Sequence, residues 1–183
     1  MQLASQLSLK MVSVLPSTIV GQVYGPLSLS MTVLDRVLRG KLATAPDFYF
    51  TFVDVRDVVH GMIAASGKGR AGERYLLAGD QPTGIRRLAE LAGEASPRAR
   101  TPRLIPEGTA LATAALLEGL ARVTGREPAI LRSQVRLWYR AAQTYDCGKP
   151  RRELGWEPRP SEQALRECFA YLTDQSSVRR GPD

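Results

Sequence analysis

The sequence is poor in cysteine, histidine, aromatic residues and long apolar runs. Two cysteines, Cys147 and Cys168, cannot build a disulfide scaffold or a metal cluster. They fit a reducing compartment, where thiols stay free. His60 is the only histidine. No Ser, Cys or metal-ligand partner is fixed beside it by spacing, so its ordinary reading is local packing or capping on a helix face. Aromatic residues make up 7% of the chain. The longest apolar-leaning stretch, Gly108 to Leu117, falls far short of the ~18 residues that a spanning helix needs. The first residues carry no positive charge ahead of an apolar run, and no small-residue cleavage site follows. These absences lead to the expectation of a soluble, cytoplasmic protein with no membrane partner and no metal.

What is present suits an ordinary folded domain. Of 183 residues, 44% are hydrophobic and 23% charged, enough for a sizeable apolar core and unlike a disordered chain. The net charge of +7 comes from 25 Lys and Arg against 18 Asp and Glu. A basic chain can bind nucleic acid, a membrane surface or a phosphorylated ligand. Here the arginines are scattered, with no block of like charge, so a nucleic-acid partner is not expected.

Along the chain, Lys10 to Leu15 is a β-branched run stopped by Pro16 and reads as a buried, parallel strand. Gln2 to Leu9 read as the last turns of a helix, which implies preceding chain. Leu29 to Leu38 carries an apolar helical face closed by Gly40. Phe48 to Val55 reads as a strand, followed by a helix from Val58 to Ala65 with Asp57 as its cap. Arg74 to Leu77 reads as a strand, and Thr83 as the cap of a helix through Ala95. A Pro/Arg-rich connector leads to a long Ala/Leu-rich helix, Glu107 to Val123, ended by Gly125. Arg132 to Ala142 reads as a helix and Thr144 to Asp146 as a brief strand. Leu154 to Trp156 reads as a turn, and Ser161 as the cap of a final helix to about Leu172. Strand and helix alternate, which predicts an α/β fold.

Two short patterns match known chemistry and fail on context. Gly67-Lys68-Gly69-Arg70-Ala71-Gly72 fits the dinucleotide-binding G-x-G-x-x-G, which must follow a strand and open a helix. Here a helix precedes it and a strand follows, so it reads as a glycine turn. Tyr145 and Lys149 have the Tyr-x-x-x-Lys spacing, which works on one helix face. Gly148 between them and Pro150 after them oppose such a helix. Asp54 and Asp57 resemble a carboxylate pair, but one ends a strand and the other opens a helix, so acid/base work is not supported.

Four segments in order resemble the extended short-chain dehydrogenase/reductases. They are Leu15-Pro16-Ser17-Thr18-Ile19-Val20-Gly21, Phe52-Val53-Asp54-Val55-Arg56-Asp57-Val58-Val59-His60-Gly61, Gly72 to Leu77, and Lys149-x-x-Arg152-Glu153-Leu154-Gly155-Trp156-x-Pro158. The chain is most similar to the dihydroflavonol-reductase-like branch of the NAD-dependent epimerase/dehydratase group. The resemblance runs from about residue 2 to about residue 173. It implies the remnant of a Rossmann-type parallel sheet (residues 1–25) and a mostly helical C-terminal substrate-binding lobe (26–175). A disordered tail (176–183) would follow. The family's glycine-rich loop and catalytic Tyr-x-x-x-Lys belong upstream of the matched region, so no catalytic residue is assigned.

The resemblance further implies that Pro16, Ser17 and Thr18 contact the nicotinamide end of NAD or NADP. Val20, Tyr49, Phe50 and Arg56 would line the substrate cleft. In nucleotide-sugar epimerases an arginine stands where Phe50 stands here, and an aromatic ring cannot supply a diphosphate with paired donors. A small apolar or aromatic substrate is therefore expected. The implied role is the substrate-binding portion of an NAD(P)-dependent oxidoreductase or epimerase, inactive and without bound cofactor when alone. The alternative is a non-catalytic protein that forms homo-oligomers or pairs with a separate Rossmann subunit. An open sheet edge and the helix 107–123 would be its contact surfaces.

Overall fold

A computed structural model describes residues 10–125, 127–128, 131–140 and 145–178. Seven short strands and seven helices are seen among them. Strand β1 (Ser13–Pro16) pairs in parallel with β5 (Arg74–Leu77). Strand β2 (Thr18–Val20) pairs in parallel with β4 (Tyr49–Asp54). The other edge of β4 takes β6 (Pro82–Gly84) antiparallel. Strand β3 (Thr44–Pro46) pairs in parallel with β7 (Arg103–Ile105). The mixed α/β architecture is the one the alternation predicts.

The helices follow from local chemistry. In α1 (Leu29–Leu38) the Ser28 hydroxyl accepts from the Met31 amide, and Met31, Leu34, Val37 and Leu38 are buried one turn apart. Helix α2 (Val55–Lys68) follows β4 directly, and α3 (Ile85–Ala95) follows β6. Helices α4 (Glu107–Thr124) and α5 (Arg132–Arg140) pack against each other. Helix α6 (Gly148–Leu154) ends at Gly155, which takes the left-handed conformation with φ 66°. Helix α7 (Ser161–Val178) completes the described chain.

Two apolar cores result. One gathers Val20, Leu34, Ile85, Leu88, Leu165 and Phe169 around α1, α3 and α7. The other places Tyr75, Leu77, Val53, Leu154 and Trp156 between β5, α2 and α6.

Several expectations need correction. Strand β1 is not buried: Leu15 is 46% exposed. Val12 and Val14 turn to the second core, and the alternation of the strand sends Met11 and Leu15 to the opposite, uncovered face. Asp54, not Asp57, caps α2, with its side chain accepting from the Arg56 amide. Gly84, not Thr83, precedes α3; both belong to β6, which runs straight into the helix, and no side chain caps it. The expected turn at Leu154 is the end of a helix that starts at Gly148; Pro150 is tolerated in its first turn, where the missing N–H has no intrahelical partner to lose. Tyr145 and Asp146 lie outside any strand. Helix α7 runs past Leu172 to Val178, beyond the expected start of a tail at Ser176. The expected helix at residues 2–9, Ala142, Thr144 and the last five residues lie outside the described residues.

Candidate functional site

The three residues implied as cofactor contacts sit where the chain leaves one sheet for another. Pro16 is the last residue of β1, opposite Leu77. Thr18 opens β2, opposite Phe52. Between them, the Ser17 amide donates to the Leu77 carbonyl at 3.0 Å. The two strands diverge at this point, at the carboxyl end of β1. In parallel sheets ligands collect at such ends, where diverging strands leave a crevice lined by backbone groups.

Ser17 carries an unusual feature. Its Oγ is buried and has no hydrogen-bond partner, alone in this respect among the described side chains. A buried hydroxyl without a partner costs about 1–3 kcal/mol, so a structure that keeps one usually gives it a ligand or a water. The residues present therefore fit a group that supplies a hydrogen bond at this strand end.

The structure separates the residues implied for the substrate. Phe50 lies in a row with Phe48 and Phe52, with ring centroids 5.0 and 6.4 Å apart. Adjacent residues of a strand point to opposite faces. Tyr49 accordingly turns the other way and lies over Gly84. Tyr49 and Phe50 are partly exposed, whereas Val20 is a core residue at 1% exposure.

Arg56 is engaged by carboxylates. Its Nε and Nη2 donate to Asp54 at 2.8 and 2.7 Å, and Nη2 also meets Glu167 of α7. Arg159 faces the same group, donating to Asp57 at 2.9 and 3.1 Å and to Glu167 at 3.0 Å. Burial pushes the Asp54 carboxyl up, but bonds from the Arg56 side chain and amide and the charge of Arg159 outweigh it. The net effect holds Asp54 below the usual carboxylate range. Glu167 is likewise lowered, by Arg56 and then by Gln163. The arrangement pins the start of α2 to the segment before α7. It offers no unpaired carboxylate for acid/base work.

The segment from Lys149 to Pro158 acts as a latch on the second core. The Trp156 indole donates to the Asp57 carbonyl at 2.8 Å. It packs so close to α2 that a Cβ at Gly61 would lie 2.9 Å from its nitrogen and 2.4 Å from Leu77. Lys149 pairs with Glu73 and lies 5.0 Å from the centre of the Tyr75 ring. The Tyr75 hydroxyl donates to Glu153 at 2.9 Å. Sequence reasoning missed Arg159 and Glu167, since each pairs across about a hundred residues of chain and no local pattern marks them.

The two look-alike motifs stay apart from this geometry. The expected glycine turn begins inside α2, whose last residues are Gly67 and Lys68, and leads to β5; Tyr145 lies before α6, so it shares no helix with Lys149. His60 is exposed on α2. Cys168 is buried, and burial pushes its thiol up to about 12. Among the described residues no group of side chains has metal-site geometry.

No family model matches the chain. A curated relative, sterol demethylase protein B of Methylococcus capsulatus, is 31% identical over 169 residues, covering 89% of this chain and 50% of that protein. The chain thus spans about half the length of the curated relative it matches. The solved structure of gox2253 superposes with a TM-score of 0.78 at 22% identity, covering 95% of this chain and 52% of that one. The Bordetella bronchiseptica enzyme WbmF, solved with NADH, gives 0.65 at 18% identity, covering 97% and 49%. UDP-glucose and UDP-glucuronic acid 4-epimerases are matched over similar shares.

The fold matches about half of each of these solved chains. Its structural neighbours are nicotinamide-dependent sugar epimerases and related enzymes, some solved with NAD, NADH or NADPH.

Proposed function

We propose that this chain is the C-terminal, substrate-binding portion of an NAD(P)-dependent oxidoreductase or epimerase. It acts on a carbonyl or hydroxyl group of a small apolar substrate and belongs to the dihydroflavonol-reductase-like branch. The observation that carries the reading is the orphaned Ser17 Oγ at the carboxyl end of β1. Pro16, Ser17 and Thr18 are the residues that would hold the nicotinamide end. When bound, that group exchanges a hydride with the carbinol or carbonyl carbon of the substrate. Ser17 would fix its polar rim, and Pro16 ends the ladder without offering an amide of its own.

The apolar substrate is supported by Phe50, the one exposed ring of a row whose other members, Phe48 and Phe52, are buried in the first core; it offers a diphosphate nothing to bond. A curated relative named for sterol chemistry agrees with it. A sterol-class ketone or alcohol is the substrate class to test first.

One observation favours a second reading, a non-catalytic protein that pairs with a separate Rossmann subunit. Ser13 and Ser17 turn their amides to β5, so Val14 and the Pro16 carbonyl face the other way. Among the described residues no strand pairs with that edge. A parallel strand from another chain would satisfy it.

The two readings separate in a fusion. The upstream half of the Methylococcus capsulatus relative is joined to this chain and assayed with NADH and NADPH against ketosteroids and aromatic ketones. The fusion is expected to transfer hydride with at least one of them, and the 183-residue chain alone with none. A folded fusion that binds the cofactor yet turns over no ketone or alcohol of the panel would overturn the enzymatic reading. Turnover by the chain alone would overturn the assignment of this chain to the substrate portion.

A further inference from the structure

Helix α4 is apolar nearly all round. Its inward side carries Ala114, the one fully buried residue of the helix, with the half-buried Leu111, Leu117 and Ala121 and the largely covered Glu118. Glu118 accepts from the Arg132 amide at 2.7 Å and pairs with the Arg132 guanidinium at 2.8 Å, which ties α4 to α5. The outward side is apolar. At 100° per residue, Ala112, Ala115, Leu116, Gly119, Leu120 and Val123 fall on one face. Leu116 is 66% exposed, Leu120 51% and Val123 88%. From Gly108 to Thr124, Arg122 is the single charged residue among the exposed ones.

The threonines that flank this face strengthen this. The Thr113 hydroxyl donates to the Thr109 carbonyl at 2.9 Å, and the Thr124 hydroxyl to the Leu120 carbonyl at 2.8 Å. Both hydroxyls are satisfied within the helix, one turn back. The surface they offer is methyl rather than hydroxyl.

The size of the face decides what covers it. Eighteen residues make a helix about 27 Å long and about 10 Å wide, so roughly 300 Å² is available. A stable dimer needs about 800 Å² from each partner. A second copy seated on this helix alone would be held too weakly. A bilayer surface has no such minimum, since each apolar side chain that enters it adds its own transfer free energy. The charge agrees. Arg122 borders the face, Arg136 is exposed on the adjoining α5, and neither forms an ion pair among the described residues. The chain as a whole carries +7. Lys and Arg beside an apolar face favour anionic lipid.

We propose that the outward face of α4, centred on Leu116, Leu120 and Val123, docks on the surface of an anionic lipid bilayer. The proposal is independent of the enzymatic reading. It revises the expectation of no membrane partner, which rested on the length of apolar runs. That length limits a helix that crosses a bilayer, not one that lies on it. Among the described residues no helix is long and apolar enough to cross.

The test is flotation of the 183-residue chain with phosphatidylcholine vesicles, with and without phosphatidylglycerol, alongside light scattering of the chain alone. The chain is expected to float with the anionic vesicles. The double substitution Leu116→Glu with Leu120→Glu is expected to weaken binding about tenfold or more. Arg122→Gln is expected to weaken it about fivefold on anionic vesicles only. Should the double variant misfold by circular dichroism, an Ala112→Trp variant serves instead, whose emission should shift to the blue on vesicle addition. No binding by the parent chain would overturn the proposal, as would binding that the glutamates leave intact or a tryptophan that does not shift. A concentration-dependent dimer that the glutamates abolish, without vesicle binding, would assign the face to a second copy instead.

Discussion

The segment around Trp156 and the outer face of α4 show opposite uses of surface. At the first, side chains from α2, β5, α6 and α7 close on one another. Trp156 is 3% exposed, its indole is bonded, and Asp54, Asp57 and Glu167 all face arginines. At the second, large aliphatic side chains stand in the open on a helix that contributes one buried residue. The first arrangement is what holds a lobe together. The second does little for folding, and an apolar face of that kind points to a partner.

The difference is sharpest in the response to truncation. Trp156→Ala removes a buried ring and leaves a void between α2 and Leu77, and it is expected to cost about 3–5 kcal/mol in a denaturant melt. A loss below about 1 kcal/mol would show that the latch does not hold the second core.

A smaller effect is expected from acid. Asp54 and Glu167 have carboxyl groups lowered in the folded state, so their contribution is present above the ordinary carboxylate pKa of about 4 and is lost as pH falls through the lowered values. Thermal midpoints should therefore hold from neutral pH to about 5 and fall steadily below about 4. A midpoint flat down to about pH 3 would mean that the network around Arg56 and Arg159 adds nothing to stability.

The smallest effect is expected on α4. Leu116→Ser should change stability by no more than about 0.5 kcal/mol, because the side chain is already in water. A larger loss would show that α4 is covered within the folded chain and would erase the contrast with Trp156.

Most of the longer elements and the four-residue β5 were legible in the sequence; the three-residue strands and α6 were not. The apolar stripe of Leu29 to Leu38 marks α1 to the residue, and Arg74 to Leu77 marks β5. Strands β2, β3, β6 and β7 have three residues each, too few to show a period. The cap of α2 was misplaced by one turn because Asp54 and Asp57 are both good caps. Only packing decides between them, since Asp57 is drawn to Arg159, 102 residues away. At the candidate site, the resemblance pointed to Ser17, but its missing partner is a property of the fold and leaves no trace in the sequence.

That missing partner is where the account is most directly tested. In the fusion with an upstream cofactor-binding half, Ser17→Ala removes a buried hydroxyl that bonds nothing in this chain. Stability should stay level or rise by about 1 kcal/mol. Affinity for NADH or NADPH should fall about tenfold, in line with the loss of one hydrogen bond to the ligand. Unchanged affinity, read by quenching of nicotinamide fluorescence, would contradict the placing of the cofactor at the end of β1.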